Sequence, residues 1–337
     1  MPAVLLLANG PTGLSAIESL SRSATLVGAV RQVAQETRDQ DPVLQHARTH
    51  NIDIYTDSAP SAVDSLVRRL QPDCVVVSSY DRILPAELLQ VTRFVNVHYA
   101  PLPRYRGRAC VNWAIINGEP FTAITIHEMA SELDAGNVLF QRTTPIGPSD
   151  TVGDLYERLN EIQRSHLGEV VARYLAGNRG TAQSHADATY GCTRLPEDGE
   201  IDWTASTRTT DRLIRALTDP YPGAYTHLEG RKLVICKAHP VADPKNFRGR
   251  IPGRVVAVSA GDGHVDVLTG DGVLRLLEVK PEGRKTCPAA QAISSVRTTL
   301  GLKMGHLMNR IARLEEQIEQ LQRSKTTEPN PGAIDAN

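Results

Sequence analysis

Short apolar runs and helix-spaced apolar positions alternate through the first half of the chain. Val4–Ala8 precedes a helical stretch over Leu14–Leu20, and Thr25–Val30 follows as a second run. A helix near Val43–Thr49 leads to Asp53–Tyr55, and another over about Ser61–Leu70 leads to the continuous run Asp73–Ser79. One more helical segment separates that run from Phe94–Tyr99. Short apolar runs parted by helices predict an α/β domain, with a doubly wound, mainly parallel sheet covered on both faces. Ligands of such sheets sit beyond the carboxyl ends of the strands, so chemistry is to be sought there.

The pattern then changes. Val152, Leu155, Leu159, Ile162, Leu167, Val170, Val171 and Leu175 recur at helical spacing, with Thr151 or Asp150 as cap and Gly177 as stop. Residues 181–205 are polar and turn-rich and read as a linker anchored by Ile201-Asp202-Trp203. After a short helix near Thr209–Leu217 come the strand-like runs Ala224–Glu229, Lys232–Ala238, Arg254–Ser259, His264–Leu268 and Val273–Val279. Such a succession predicts a small OB-like β-barrel. The expected order is an α/β domain over 1–180, the linker, a barrel over 206–297, an amphipathic helix over 298–323 and a disordered tail over 324–337. In the helix, Leu300, Met304, Leu307, Ile311, Leu314, Ile318 and Leu321 repeat in steps of four and three. Ile311 and Ile318 at positions a, with Leu307, Leu314 and Leu321 at d, favour a parallel two-stranded coil, and Arg310 and Glu315 fall at g and e. A homodimer through residues 300–321 is one reading; a helix folded back on its own barrel is the other.

Composition narrows the class. The 337 residues suit about two domains, and a formal net charge of -1 with 22% charged residues argues against a chain that lives on nucleic acid. The five cysteines are scattered and never form C-x-x-C, so neither a disulfide framework nor a zinc site is expected. The apolar opening Pro2–Ala8 has no basic start and ends at Asn9-Gly10, as a buried strand does and a signal peptide does not. No apolar run approaches the ~20 residues of a membrane span. A cytoplasmic protein is expected, with no metal and no membrane partner.

Chemistry concentrates in Asn96-Val97-His98-Tyr99-Ala100-Pro101-Leu102-Pro103-Arg104-Tyr105-Arg106-Gly107. Asn96 and His98, two apart at a strand end, point to one face. A buried strand should stay apolar, so two polar side chains there need a reason. They either satisfy loop backbone groups or grip one carbonyl oxygen, the Asn amide and a protonated imidazole each donating to the oxyanion formed when an amine attacks an acyl carbon. Pro101, Pro103 and Gly107 stiffen the following loop. A second cluster runs from Ile124-Thr125-Ile126-His127 to Leu133-Asp134-Ala135-Gly136. A carboxylate at Asp134 beside His98 would raise the imidazole pKa and take up the amine's proton. His127 either lines the acceptor side or is an inert strand-end histidine. Asn9-Gly10-Pro11-Thr12-Gly13 lacks the lysine of a phosphate loop and reads as a strand-to-helix turn bordering the acceptor site.

Together these stretches resemble the 10-formyltetrahydrofolate-dependent formyltransferases, whose pattern runs roughly N-x-H-x-S-L-L-P-x-x-R-G, then G-x-T-x-H, then D-x-G. Ser79-Tyr80-Asp81-Arg82-Ile83-Leu84-Pro85 is similar to the family's folate-side loop. Asp198–Trp203 and Pro220–Ala224 resemble its inter-domain segment, and Leu277–Lys285 the end of its barrel domain. The resemblance implies a formyltransferase-type Rossmann-like sheet, Asn96 and His98 polarising the formyl group, and Asp134 managing the proton. It implies folate contacts from Arg82, Ile83, Leu84 and Leu133, with Asn9, Tyr105, Arg106 and His127 toward the acceptor. Departures are Ala100-Pro101 for Ser-Leu and Ala123 for Gly. Enzymes of the family acting on methionyl-tRNA are similar to one another in a basic insertion after the second strand. Here Arg31, Arg38 and Arg48 are balanced by Glu36, Asp39 and Asp41. Arg106–Ala114, Thr125–His127 and Ala188–Cys192 resemble the amino-sugar formyltransferases instead. The expected acceptor is therefore a small-molecule amine such as a nucleotide-linked amino sugar. Methionyl-tRNA is the alternative, and a 10-formyltetrahydrofolate hydrolase or a non-catalytic folate-binding scaffold are further readings.

Overall fold

Strand β1 (Ala3–Leu7) is buried from its second residue on, because it runs through the middle of a sheet. The computed structural model describes residues 1–10, 12–302 and 304–326, and divides into two units. The first holds Met1–Asp198 with Arg215–Pro220, and the second Gly199–Ile214 with the chain from Tyr221 on.

In the first unit α1 (Gly13–Leu20), β2 (Thr25–Val30), α2 (Pro42–Thr49), β3 (Ile54–Tyr55) and α3 (Pro60–Leu70) follow β1. Next come β4 (Cys74–Ser78), β5 (Arg93–His98), the two-residue β6 (Arg106–Gly107), α4 (Cys110–Asn117), β7 (Phe121–Glu128), β8 (Val138–Pro145), α5 (Val152–Leu175) and β9 (Tyr190–Gly191). The main sheet has the order β3-β2-β1-β4-β5-β7-β8. Pairings from β3 to β5 are parallel, and β7 and β8 are antiparallel additions. The doubly wound, mainly parallel α/β sheet expected from the sequence is present. All of β4 is buried, and each of Val75, Val76 and Val77 contributes about 1.5–3 kcal/mol by leaving water. On one face these strands pack with Val63, Leu66 and Val67 of α3.

The opposite face carries α1 against α5. Gly168 allows that approach, since a Cβ there would lie 2.0 Å from Ser23 Oγ and 2.8 Å from the Ser19 carbonyl oxygen. Helix α5 starts with a capping box: Asp154 N donates to Thr151 Oγ1 at 3.2 Å, and Thr151 N donates to Asp154 Oδ2 at 2.8 Å.

Two local expectations differ from the structure. The helix anticipated before β5 is only a short turn, Leu88–Gln90, because the stretch after Pro85 is too brief to repay helix nucleation. Strand β8 has no counterpart in the sequence reading. It is an edge strand whose Gln141, Arg142 and Thr143 face solvent, so the apolar signal is lost.

The second unit is built on antiparallel strands: β10 (Ala224–Leu228), β11 (Arg231–Pro240), β12 (Val255–Ser259), β13 (His264–Leu268), β14 (Val273–Pro281) and β15 (Cys287–Pro288). Their order is β10-β11-β14-β13-β12, with β15 on β14. The boundary falls within α6 (Thr207–Leu217); α7 (Ala289–Ala292) and α8 (Met304–Thr326) complete the elements. Trp203 is buried in this unit and donates from Nε1 to Thr226 Oγ1 at 2.9 Å. Leu300, expected to begin the heptad repeat, is instead buried where its amide donates to the Gly253 carbonyl. The disorder expected for residues 324–337 lies, from residue 327 on, outside the described residues, and 324–326 close α8. No helix among the described residues is long and apolar enough to cross a membrane.

Thr151→Ala removes the cap of α5. We expect a loss of about 1 kcal/mol of unfolding free energy, read as a lower urea midpoint with an unchanged slope; an unmoved midpoint would show the cap to be inert.

Candidate active site

Asn96 and His98 sit at the carboxyl end of β5, where the alternation of the strand turns both to one side. The antiparallel register sets Asn96 directly opposite His127 of β7. Asn96 Nδ2 donates to His127 Nε2 at 3.1 Å and to Asp134 Oδ1 at 3.3 Å. Asp134 comes from the loop between β7 and β8 and holds a left-handed backbone at φ 50°. That loop presses on the end of β7: a Cβ at Gly136 would stand 1.9 Å from the Glu128 carbonyl oxygen. Only glycine permits the approach.

The carboxylate is surrounded. Gly107 N donates to Asp134 Oδ2 at 2.8 Å, with His98 Nδ1 3.6 Å from the same oxygen and His127 Nε2 3.5 Å from Oδ1. Burial pushes the Asp134 carboxyl up. Against it stand the His127 hydrogen bond and the charges of His127 and His98, which act when those rings carry a second proton, and the Gly107 amide; together they hold the group well below the usual carboxylate range.

Both imidazoles have their tautomers set by backbone carbonyls, which can only accept. His98 Nε2–H donates to the Tyr105 carbonyl at 2.7 Å, so its free nitrogen is Nδ1, facing Asp134. His127 Nδ1–H donates to the Glu128 carbonyl at 2.8 Å, leaving Nε2 to accept from Asn96. Burial lowers the His98 pKa, while Asp134 and the Tyr105 carbonyl oppose the shift. At neutral pH the ring is therefore neutral, with a free lone pair on Nδ1. A site with an amide donor, a neutral imidazole and a fixed carboxylate suits proton transfer coupled to attack on a carbonyl.

The remaining sequence candidates scatter around this cluster. Ile83 is 87% exposed and Leu133 55% exposed, while Leu84 is buried. Arg108 donates to the Asp81 carbonyl and so ties the Arg82–Leu84 loop to the loop after β6. Asn9 Oδ1 accepts from Gln32 N at 2.9 Å, which ties the turn after β1 to the chain leaving β2. The Tyr105 phenol donates to Glu119 Oε1 at 2.7 Å, so the residue reaches the cluster through its carbonyl alone. Arg106, expected to face an acceptor, is fully buried; its guanidinium donates to Glu132, Gln183 and Tyr190 because it is turned inward beneath the loop. His127, expected on the acceptor side, is a buried fourth member of the cluster. Thr125 Oγ1 and Gln141 Nε2 bind the Ala100 and Leu102 carbonyls, so the Ala100-Pro101 departure leaves this loop tethered. Among the described residues no group of three or more His, Cys, Asp or Glu is arranged to hold a metal ion.

Residues 16–171 match the formyl transferase family model, and residues 195–297 match the formyl transferase C-terminal domain model. A methionyl-tRNA formyltransferase of Geobacter metallireducens is 35% identical over 272 residues, 79% of this chain and 84% of that protein. The chain belongs to the formyltransferase family. Another relative, a methionyl-tRNA formyltransferase of Streptococcus pyogenes, is 36% identical over 72% of this chain and 77% of its own length. Among solved structures, HypX from Aquifex aeolicus in complex with tetrahydrofolic acid aligns with a TM-score of 0.63 at 22% identity, over 87% of this chain and 47% of HypX. WlaRD, a sugar 3N-formyl transferase, aligns with a TM-score of 0.58 at 15% identity, over 85% and 99% of the two chains.

As a formyltransferase, the protein is an enzyme that transfers the formyl group of 10-formyltetrahydrofolate to an amine. The expectation of a small-molecule amine, such as an amino sugar, is overturned. Relatives at 33–36% identity over about 80% of the chain are methionyl-tRNA formyltransferases, whereas the sugar enzyme shares the fold alone at 15% identity.

Asp134 also gives a test by stability. Its folded pKa lies below the unfolded value of about 3.9, so its contribution is present above that pH and is lost as pH falls through the folded pKa. The gap in unfolding free energy between wild type and Asp134→Asn should therefore narrow steadily from about pH 5 downward. A gap independent of pH in acid urea melts would contradict the buried carboxylate.

Proposed function

We propose that the enzyme formylates the amino group of methionyl-tRNA, with Asn96, His98 and Asp134 at the reacting centre. The observation that carries the acceptor is the 35% identity to the Geobacter metallireducens enzyme over 272 residues, more than the first unit alone can supply. The second unit supports it with a cleft of about 930 Å³ whose lining includes Arg231, Lys232, Arg284, Arg310 and Arg313 against Glu229 and Glu282. An excess of cations there suits a phosphate backbone.

The roles follow from the geometry. Exposed Ile83 and Leu133, with the Arg82–Leu84 backbone, hold the folate. Attack of the amine on the formyl carbon forms the new C–N bond and places charge on the formyl oxygen. Asn96 Nδ2 turns one hydrogen to that oxygen. His98, neutral at rest, accepts the amine's proton on Nδ1 directly or through water, and Asp134 holds the resulting imidazolium. Breaking the bond to folate N10 then returns that proton to N10. His98 thus acts first as a base, where the sequence alone suggested a protonated donor.

Methionyl-tRNA, free methionine and nucleotide-linked amino sugars offered with 10-formyltetrahydrofolate test the acceptor. We expect formylation of methionyl-tRNA to dominate and its kcat/KM to fall as salt rises. A faster reaction with any small amine would sink the proposal.

For the assembly, the reading is a parallel homodimer through α8. Met304, Ile311, Leu314, Ile318 and Leu321 of its a and d positions are 48–74% exposed. The helix lies beyond the residues matched by the family models. Light scattering should give twice the chain mass for wild type and the single mass for the double variant Ile311→Glu, Leu314→Glu. A monomeric wild type would exclude it.

A further inference from the structure

We propose that Gln183, backed by the buried Arg106, is a positioning residue that fixes Asp134 against His98. This rests on the role given to Asp134 above. Gln183 Nε2 has two hydrogens, and the structure gives each a carbonyl: Asp134 O at 2.8 Å and Gly136 O at 2.7 Å. These carbonyls belong to the left-handed residue itself and to the residue two further on, so one amide group pins the chain where it leaves the turn that aims the Asp134 carboxylate. Gln183 Oε1 in turn accepts from Arg106 Nη2 at 3.0 Å. Arg106 is fully buried, and its other terminal nitrogen reaches Glu132 Oε1 at 3.2 Å and Tyr190 OH at 3.4 Å.

The stretch carrying Gln183 holds the other side of the site too. Thr181 bridges to Val138, and β9 pairs with β6. Thr189 Oγ1 accepts from Tyr105 N at 2.9 Å, and the Thr189 carbonyl accepts from Arg106 N at 2.8 Å. The segment 181–191 therefore fixes the Tyr105 carbonyl that orients His98, the Gly107 amide that orients Asp134, and the Asp134 turn itself. A polar stretch expected to serve as linker acts as a strap across the catalytic loops.

Gln183→Met keeps the length of the side chain and removes both donors. We expect kcat for methionyl-tRNA formylation to fall by about 10- to 100-fold, with KM for 10-formyltetrahydrofolate within about threefold. The acid limb of the kcat profile should move to lower pH, because a displaced Asp134 raises the His98 pKa less. Loss of packing alone would lower kcat only in proportion to the folded fraction and leave that limb in place, which overturns the proposal. Should Gln183→Met not fold, Gln183→Glu keeps the bond to Arg106 without the donors and is read in the same way. Asp134→Asn separates the two claims. If it turns over normally, the functional reading falls and this inference with it. If it is inactive while the Gln183 variants keep wild-type kcat and acid limb, only the inference falls.

Discussion

A carboxylate out of water is the constraint around which the first unit is arranged. The Asp134 side chain is only 9% exposed, and a bare charge at that depth would cost several kcal/mol. It is tolerated because its partners come from separate stretches: Asn96 and His98 from β5, His127 from β7, and the Gly107 amide from the loop after β5. They come from three separate stretches of chain, so the parallel core, the antiparallel addition of β7 and the loop carrying Gly107 must all form before the charge is satisfied. The groups that make the carboxylate affordable are also those that give it a direction. Stability and chemistry share one set of bonds.

What the chain disclosed by itself follows from the range of each interaction. Strands β1 and β4 are continuous apolar runs, buried on both faces, and are legible as such. Asn96 and His98 were legible because alternation along one strand is a local rule. His127 faces Asn96 through a cross-strand register 31 residues away in sequence, and no spacing rule reports that. Asp134 was reached through likeness to a family, since D-A-G alone marks any turn. Gln183 left no trace: its neighbours are polar and aperiodic, and its work is done on backbone carbonyls, which carry no residue signature. Edge strand β8 was missed for the opposite reason, because its exposed polar residues look like loop.

The acceptor shows how a correct local reading can mislead. The loop after β2 is in fact neutral: Arg31 is bound to Asp41 at 2.6 Å and to the Ala8 and Gly10 carbonyls, and Arg48 pairs with Asp39. These cations are spent on the turn and on Asp41, whose carboxylate caps α2, leaving little to attract phosphate. Yet neutrality at one loop constrains only that loop. A polyanion is held by many weak contacts spread over a surface, and likeness running through most of the chain outweighs the composition of about twenty of its residues.

In the proposed mechanism the direction of proton flow depends on a backbone carbonyl. Had His98 Nε2 faced an amide N–H, its proton would sit on Nδ1, and the ring would present Asp134 with a donor already bonded and no lone pair to offer an amine. The Tyr105 carbonyl reverses this. It holds the proton on Nε2, so Nδ1 faces the carboxylate as lone pair against negative charge at 3.6 Å. That resting arrangement is electrostatically poor, and burial keeps it neutral all the same. A proton arriving on Nδ1 converts the repulsion into an ion pair. In the proposed mechanism a carbonyl, an imidazole and a carboxylate, each fixed from a different part of the chain, thus decide which nitrogen takes the proton.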